Sequence, residues 1–249
     1  MNQLKIKSSL AELVVIVIGV LIALLAESAW QDYRDRAEGR EYVARLATEV
    51  RVNLGVLEGD GSWARYSCAS ANSALAQLQG AEDEVDPTKF LHSVILASLY
   101  SNPEYQTATH DDLIGTGGLS LIDNATLRST IVAAYTNFFE SLDAWRPPKD
   151  VALRASVLRT IPGDFLNRVS ADCIEYEGPK ERVANLADCS TVPSGASSRA
   201  MFDQLVALPT LEGDLRERAW QVCEFEEDMS DVAKQFEELA DLLESASAT

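Results

Sequence analysis

Residues 13–26 read LVVIVIGVLIALLA, fourteen apolar positions without a polar interruption. The run is apolar on every side, which suits lipid better than one face of a core. Adding Leu10, Ala11, Ser28 and Ala29 gives about twenty residues, roughly a hydrocarbon core at 1.5 Å per residue. Glu12 precedes the run and Glu27 follows it. Both would stand near an interface, where a carboxylate costs little. Trp30 and Tyr33 come next, as an interfacial aromatic belt does. The pattern predicts a tail over 1–9, a transmembrane anchor over 10–29 and an extramembrane body over 30–249. A cleaved leader, with Lys5 and Lys7 as its basic region, and a buried core helix compete with this reading. The acidic ends and all-round hydrophobicity oppose the core helix, and the run is expected to be kept as an anchor.

Beyond it the apolar positions keep helical spacing. Tyr42, Leu46, Val50, Leu54 and Leu57 recur every three to four residues, one face of a helix predicted to end at Gly59–Gly61. A second helix is predicted over 63–79, with small residues in its middle. Asp86-Pro87 suits an N-cap and first turn, followed by Phe90, Leu91, Val94, Ile95 and Leu99. Thr109 and Asp112 have capping-box spacing, and that short helix should stop at Gly115–Gly118. Asp123 is placed to cap a helix through Leu127, Ile131, Tyr135, Phe138 and Leu142. Pro147-Pro148 and Pro162-Gly163 punctuate the next stretch, 172–198 reads as an irregular loop, and a short helix is expected near 201–208. Phe225, Met229, Val232, Phe236, Leu239 and Leu243 alternate spacings of four and three, a heptad seam of about three repeats. A core role within the chain's own bundle suits that seam better than an outside helix. No convincing strand pattern and no internal repeat appears. The expectation is an all-α protein, a transmembrane helix continuing into an antiparallel extramembrane helical domain.

Composition narrows the function classes. The 249 residues carry 21 Lys+Arg against 39 Asp+Glu, a net charge of -18. Phosphate backbones would be repelled, so no nucleic-acid partner is expected. With two histidines, His92 and His110, most zinc and triad chemistries lose their usual ligands and bases. The glycines of LIGTGGLS (115, 117, 118) lack the following Lys-Ser/Thr and the preceding strand of a phosphate loop. They read as a helix C-cap. His110, Asp111 and Asp112 are consecutive, so they diverge around a helix; the two acids suit a helix start better than a metal. His92 reads as a boundary histidine. No catalytic residue, metal site or cofactor is expected.

Four cysteines suit two disulfides, Cys173 with Cys189 across the polar loop and Cys68 with Cys223 between distant helices. Four buried thiols are the alternative. Paired cysteines belong in an oxidising compartment. Lys5, Lys7 and the amino terminus on one side balance Arg34, Arg36 and Arg40 on the other, so the positive-inside count is tied. The cysteines then favour a cytoplasmic N-terminus and a periplasmic body in a bacterial inner membrane.

Two stretches, residues 11–53 and 109–135, together resemble a family of uncharacterised bacterial single-span membrane proteins, a domain of unknown function. The family's anchor has the form E-x-x-L-V-V-x-G-V-L-I-A-L, and a later segment has the form D-x-L-I-x-S/T-G-x-L-x-L-I-x-N-x-x-L-R. The matching residues are Glu12, Gly19, Trp30, Glu41, Tyr42, Asn53, Asp112, Leu113, Thr116, Gly117, Leu119, Leu121, Ile122, Asn124, Leu127 and Arg128. His110 and Gly118 depart from the pattern. The resemblance implies a topology and no mechanism.

Membrane and partner contacts are assigned to Glu12, Gly19, Glu27, Trp30 and Tyr33. Gly19 offers close approach to another helix, although the residues four away are Val15 and the modestly small Ala23. The expected job is contact rather than chemistry. It is that of a non-enzymatic accessory subunit held by lipid and by other integral membrane subunits, with a respiratory or photosynthetic complex as one setting. The alternative is a periplasmic ligand-binding or sensor module that signals through another membrane protein, since the short tail leaves no room for a cytoplasmic output domain.

Overall fold

The computed structural model describes residues 2–80, 85–99, 104–145, 152–176, 184–186 and 196–247. It is all-α apart from one small ribbon. Helix α1 runs from Asn2 to Leu78, 77 residues in one piece, or about 115 Å at 1.5 Å per residue. The predicted end at Gly59–Gly61 is overturned, because the helix passes straight through. A glycine inside a helix costs only about 1 kcal/mol. Leu57 and Ala64, on either side, are both buried, so packing outweighs local propensity.

Antiparallel to α1 lies α8, Leu211–Ser247. Their register is marked by Arg51–Glu244 and Arg65–Glu226 ion pairs, both at 2.9 Å, and by a Cys68–Cys223 disulfide. This pair forms the spine of the body. The heptad residues Met229, Val232, Phe236, Leu239 and Leu243 are buried within the chain, with Phe225 partly so.

Two apolar clusters lie along the spine. The one nearer the anchor joins Tyr42 to Leu57 of α1, the last turns of α8 and the buried face of α4, Ala125–Trp145. The far one joins Ala71 and Ala74 to α2 (Pro87–Ser98), α5 (Ala152–Thr160), α6 (Gly163–Cys173), α7 (Ala196–Val206) and the start of α8. Small residues in this part of α1, with Ala64, Ser67 and Ser70 also buried, let neighbours come close. The Cα atoms of Cys68 and Cys223 are 5.0 Å apart.

Helix starts follow side-chain chemistry, sometimes from an unexpected source. Asp86 caps α2 by accepting from the Thr88 and Lys89 amides. Helix α3, Ala108–Gly115, has no side-chain cap of its own, so the expected capping box at Thr109 does not form. It ends into Gly117 with φ 74, the left-handed conformation a glycine permits. A 3-10 turn over Gly118–Leu121 comes next. Asn124, not Asp123, then caps α4, its side chain accepting from the Leu127 amide at 3.1 Å. The stretch expected to be an irregular loop from 172 includes the end of α6 and a three-residue antiparallel ribbon, β1 (Ile174–Tyr176) on β2 (Ala184–Leu186).

Candidate functional site

From Val15 to Arg34 every side chain of α1 is exposed among the described residues. No residue of its apolar window is buried, and the helix is long and apolar enough to cross a membrane. Val15, Ile16, Leu24 and Leu25 are each more than 60% exposed. In water such a surface would be unfavourable by about 25 cal/mol per Å², whereas in lipid it is satisfied. The body first grips α1 at Gly39, where an added Cβ would overlap the Leu121 carbonyl oxygen. Residues 30–38 are therefore a stalk of about 13 Å. Trp30 and Tyr33 are exposed on it, their rings stacked with centroids 6.0 Å apart. Glu27 is exposed as well. At Gly19 a Cβ would meet nothing within 4 Å. Glu12 belongs to α1, but its side chain lies outside the described residues. The pairing of Cys173 with Cys189 also lies outside them.

Where the body begins, α1 carries polar side chains on its buried face. Glu49 is 4% exposed. Its carboxyl oxygens accept from the Thr109 amide at 2.6 Å and the His110 amide at 3.2 Å, which caps the N-terminus of α3 from a different helix. A carboxylate there satisfies orphan amides and complements the helix dipole. The Tyr135 hydroxyl donates to the same carboxyl at 2.7 Å. Burial first, then this bond, push the Tyr135 phenol far above its ordinary pKa, so it remains a donor. Four residues on, the Asn53 side chain accepts from the Gln106 amide at 2.8 Å and donates to the Gln106 carbonyl at 2.7 Å. Further along, Tyr105 donates to Asp60 at 2.6 Å. Burial and the Asp60 carboxylate raise its pKa in turn. Glu49, Asn53 and Asp60 thus pin the segment 105–110 to α1.

The three consecutive polar residues of α3 diverge. His110 stacks on the Tyr135 ring, with centroids 4.1 Å apart and planes at 11°, and its Nδ1 sits 3.1 Å from Asp111. Asp111 also accepts from Thr107, while Asp112 pairs with Arg45 of α1 at 3.2 Å. The Tyr42 and Thr116 hydroxyls are 3.3 Å apart, and Tyr42 packs under Gly118, where a Cβ would meet its ring at 3.0 Å. Arg128 donates to the Ile122 and Asp123 carbonyls. Each of these contacts holds a helix or turn in place beside α1.

A second buried polar anchor lies further along the spine. Arg218 of α8 is 5% exposed. Its guanidinium donates to the Ala97 carbonyl at 2.8 Å and the Leu99 carbonyl at 2.6 Å, at the end of α2, and lies 5.5 Å from the Trp63 ring centre. Burial lowers its pKa to about 10, which leaves it charged at neutral pH. The charge complements the negative end of the α2 dipole.

Glu49, Asp60 and Arg218 were missed from sequence. Glu49 and Asn53 interrupt the apolar face that Leu46, Val50 and Leu57 define, and a polar residue on a buried face is the one signal that could have found them. Arg218 carries the same signal, since it interrupts the spacing of four and three that runs through Leu211, Leu215, Val222 and Phe225. Among the described residues no group of three His, Cys, Asp or Glu side chains is arranged to hold a metal ion. Comparison with protein-family models, with curated proteins and with solved structures found no match to this chain.

Proposed function

We propose that the chain is a membrane-anchored, non-catalytic accessory subunit whose α1 packs against other integral membrane proteins and whose body braces a larger complex at the membrane surface. One observation carries this reading. The exposed apolar part of α1 continues without a break into the spine of the body, so one helix joins the two. The polar hub supports it, because Glu49, Asn53, Tyr105 and Tyr135 spend their hydrogen-bonding capacity on holding α3 and its approach to α1. We place the body in the periplasm of a bacterial inner membrane. The tied positive-inside count does not choose a side, and the Cys68–Cys223 disulfide supports an oxidising one.

Native membranes dissolved in mild detergent and separated by size test the reading. The chain is expected in a particle far larger than its 27.2 kDa, together with other integral polypeptides. A particle made of this chain alone would overturn it. Alkylation of intact cells tests orientation. A cysteine placed at exposed position 206 should react with a membrane-impermeant maleimide once the outer membrane is opened, without lysis of the inner one.

A further inference from the structure

Along the exposed part of α1, the residues differ sharply between faces. Gly19, Ala23, Ala26, Trp30, Tyr33 and Ala37 succeed one another at spacings of four, three, four, three and four. This is a heptad seam that crosses from the apolar run into the polar stalk. At about 100° per residue, Ala37 stands about 200° from Gly39, so the seam faces away from the body that grips α1 at Gly39, Tyr42 and Leu46. Large side chains occupy the other side of the same span, at Val17, Leu21, Leu24 and Leu25. Among the described residues the seam is exposed from Gly19 to Tyr33, and Ala37 is half-buried where the body begins. Trp30 and Tyr33 are each 61% exposed on it. Gly19 has no contact within the chain that a side chain would disturb, yet glycine weakens a helix by about 1 kcal/mol relative to alanine.

We propose that two copies of this chain pair in parallel through the outward face of α1, from Gly19 to Ala37. Pairing rests on α1 crossing a bilayer and goes beyond the accessory-subunit reading. The occupant is argued from level and charge. A partner for this seam must change from small apolar contacts to aromatic ones where the seam itself does, and a second α1 inserted in the same direction does so by construction. Pairing at the small residues brings the backbones close within lipid, where association depends on packing. At the interface Trp30 and Tyr33 meet their counterparts. Just beyond, Arg36 and Glu41 occupy the two flanks of the seam. Their spacing of five is that of the complementary g-to-e′ pairs of a parallel two-stranded coil. The next seam position is Arg40, whose charge would face its own copy, so close contact ends there and the bodies lie outside the pair on opposite sides.

Cross-linking tests this on the purified full-length chain, reconstituted alone into lipid vesicles, so that no other subunit contributes. Single cysteines replace Ala26, Tyr33 or Ala37 on the seam, and Ser28 or Asp35 on the far side. A short thiol-to-thiol maleimide linker is added, with the parent chain as blank. The seam positions are expected to give covalent dimers in about tenfold higher yield than the far-side positions. Gly19→Ile should cut that yield about tenfold, the scale of one lost set of interhelical contacts. The intact Cys68–Cys223 bridge on a non-reducing gel reports that the body remains folded. Equal yields on both sides, no dimer anywhere, or insensitivity to Gly19→Ile would overturn the pairing. Failure of the accessory-subunit reading would appear instead in native membranes, as the absence of co-purifying polypeptides.

Discussion

Glu49 shows how one side chain on α1 organises a neighbouring helix. Its carboxyl replaces the cap that α3 lacks and also receives the Tyr135 hydroxyl. Removal strands two backbone amides and a phenol, each costing about 1–3 kcal/mol when buried unsatisfied. Glu49→Ala is expected to lower stability by about 3 kcal/mol, and Tyr135→Phe by about 1 kcal/mol because the carboxyl keeps its two amide donors. Denaturant midpoints of the full chain in detergent measure both. If the pair act through one carboxyl, the double variant will lose less than the sum. Arg218 has the same logic with the opposite charge. Arg218→Met leaves the Leu99 carbonyl without its side-chain donor, while the Ala97 carbonyl keeps the Ser67 hydroxyl at 3.3 Å, for an expected loss of about 1–2 kcal/mol. His92 contributes a pH dependence. Burial lowers its pKa below 6.5, with Asp86 partly opposing, so the unfolded chain takes up a proton before the folded one does. Stability should therefore fall as pH drops below about 6.5 and level off once the folded histidine titrates. His92→Gln should remove that part of the slope between about pH 7.5 and 5, read as the difference between the two chains.

The glycines of α1 separate local propensity from packing. Gly55 and Gly61 have nothing within 4 Å of an added Cβ, whereas at Gly39 it would overlap the Leu121 carbonyl. Gly55→Ala and Gly61→Ala are expected to raise stability by about 0.5–1 kcal/mol each. Gly39→Ala should lower it by about 1–3 kcal/mol, since the 3-10 turn must back away. Thermal melts monitored by helical circular dichroism give the signs, and a loss at Gly61 would restore the helix end that the sequence suggests. These residues also show what could be read in advance. Strong periodicity made α2, α4 and α8 legible, and the long apolar run made the exposed part of α1 legible as a helix able to cross a membrane, because apolar spacing and the Asp86-Pro87 start are local signals. The continuity of α1 was not legible, since Gly-Asp-Gly is a local stop signal and the burial of Leu57 and Ala64 that overrides it is tertiary. The Glu49 cap was hidden for the same reason, its partners lying on a separate helix far along the chain. The Leu127 amide selects Asn124 over Asp123 through a one-residue difference in backbone position, finer than spacing resolves.

At the scale of the whole molecule, the body is two apolar clusters on one spine. The near cluster ends on α1 at Leu57 and the far one begins at Ala71. Between them the spine is joined by the Cys68–Cys223 bridge, the Arg65–Glu226 pair and the Trp63–Phe225 ring contact. Arg65 is largely exposed, so that ion pair is worth at most about 1 kcal/mol. The bridge is then the strongest tie across the waist. It closes a separation of 155 residues, and for a loop of that length chain entropy gives about 4–5 kcal/mol. Replacing both cysteines by alanine should cost about that much. It should also change the form of unfolding, because the clusters would then be joined by the helical continuity of α1 and α8 and by weaker contacts, the Arg65–Glu226 pair, the Trp63–Phe225 rings and Arg218 over Trp63. Two cooperative steps are expected in place of one, with the Glu49 hub and Arg218 reporting on different steps. Hydrogen exchange resolved by segment measures this directly. In the bridged chain the α2 and α4 amides should open at one common free energy, and in the alanine variant at two. Equal protection of α2 and α4 in both chains would mean that spine packing alone couples the clusters. The bridge stands on the spine between the two apolar clusters, where their packing does not supply the coupling.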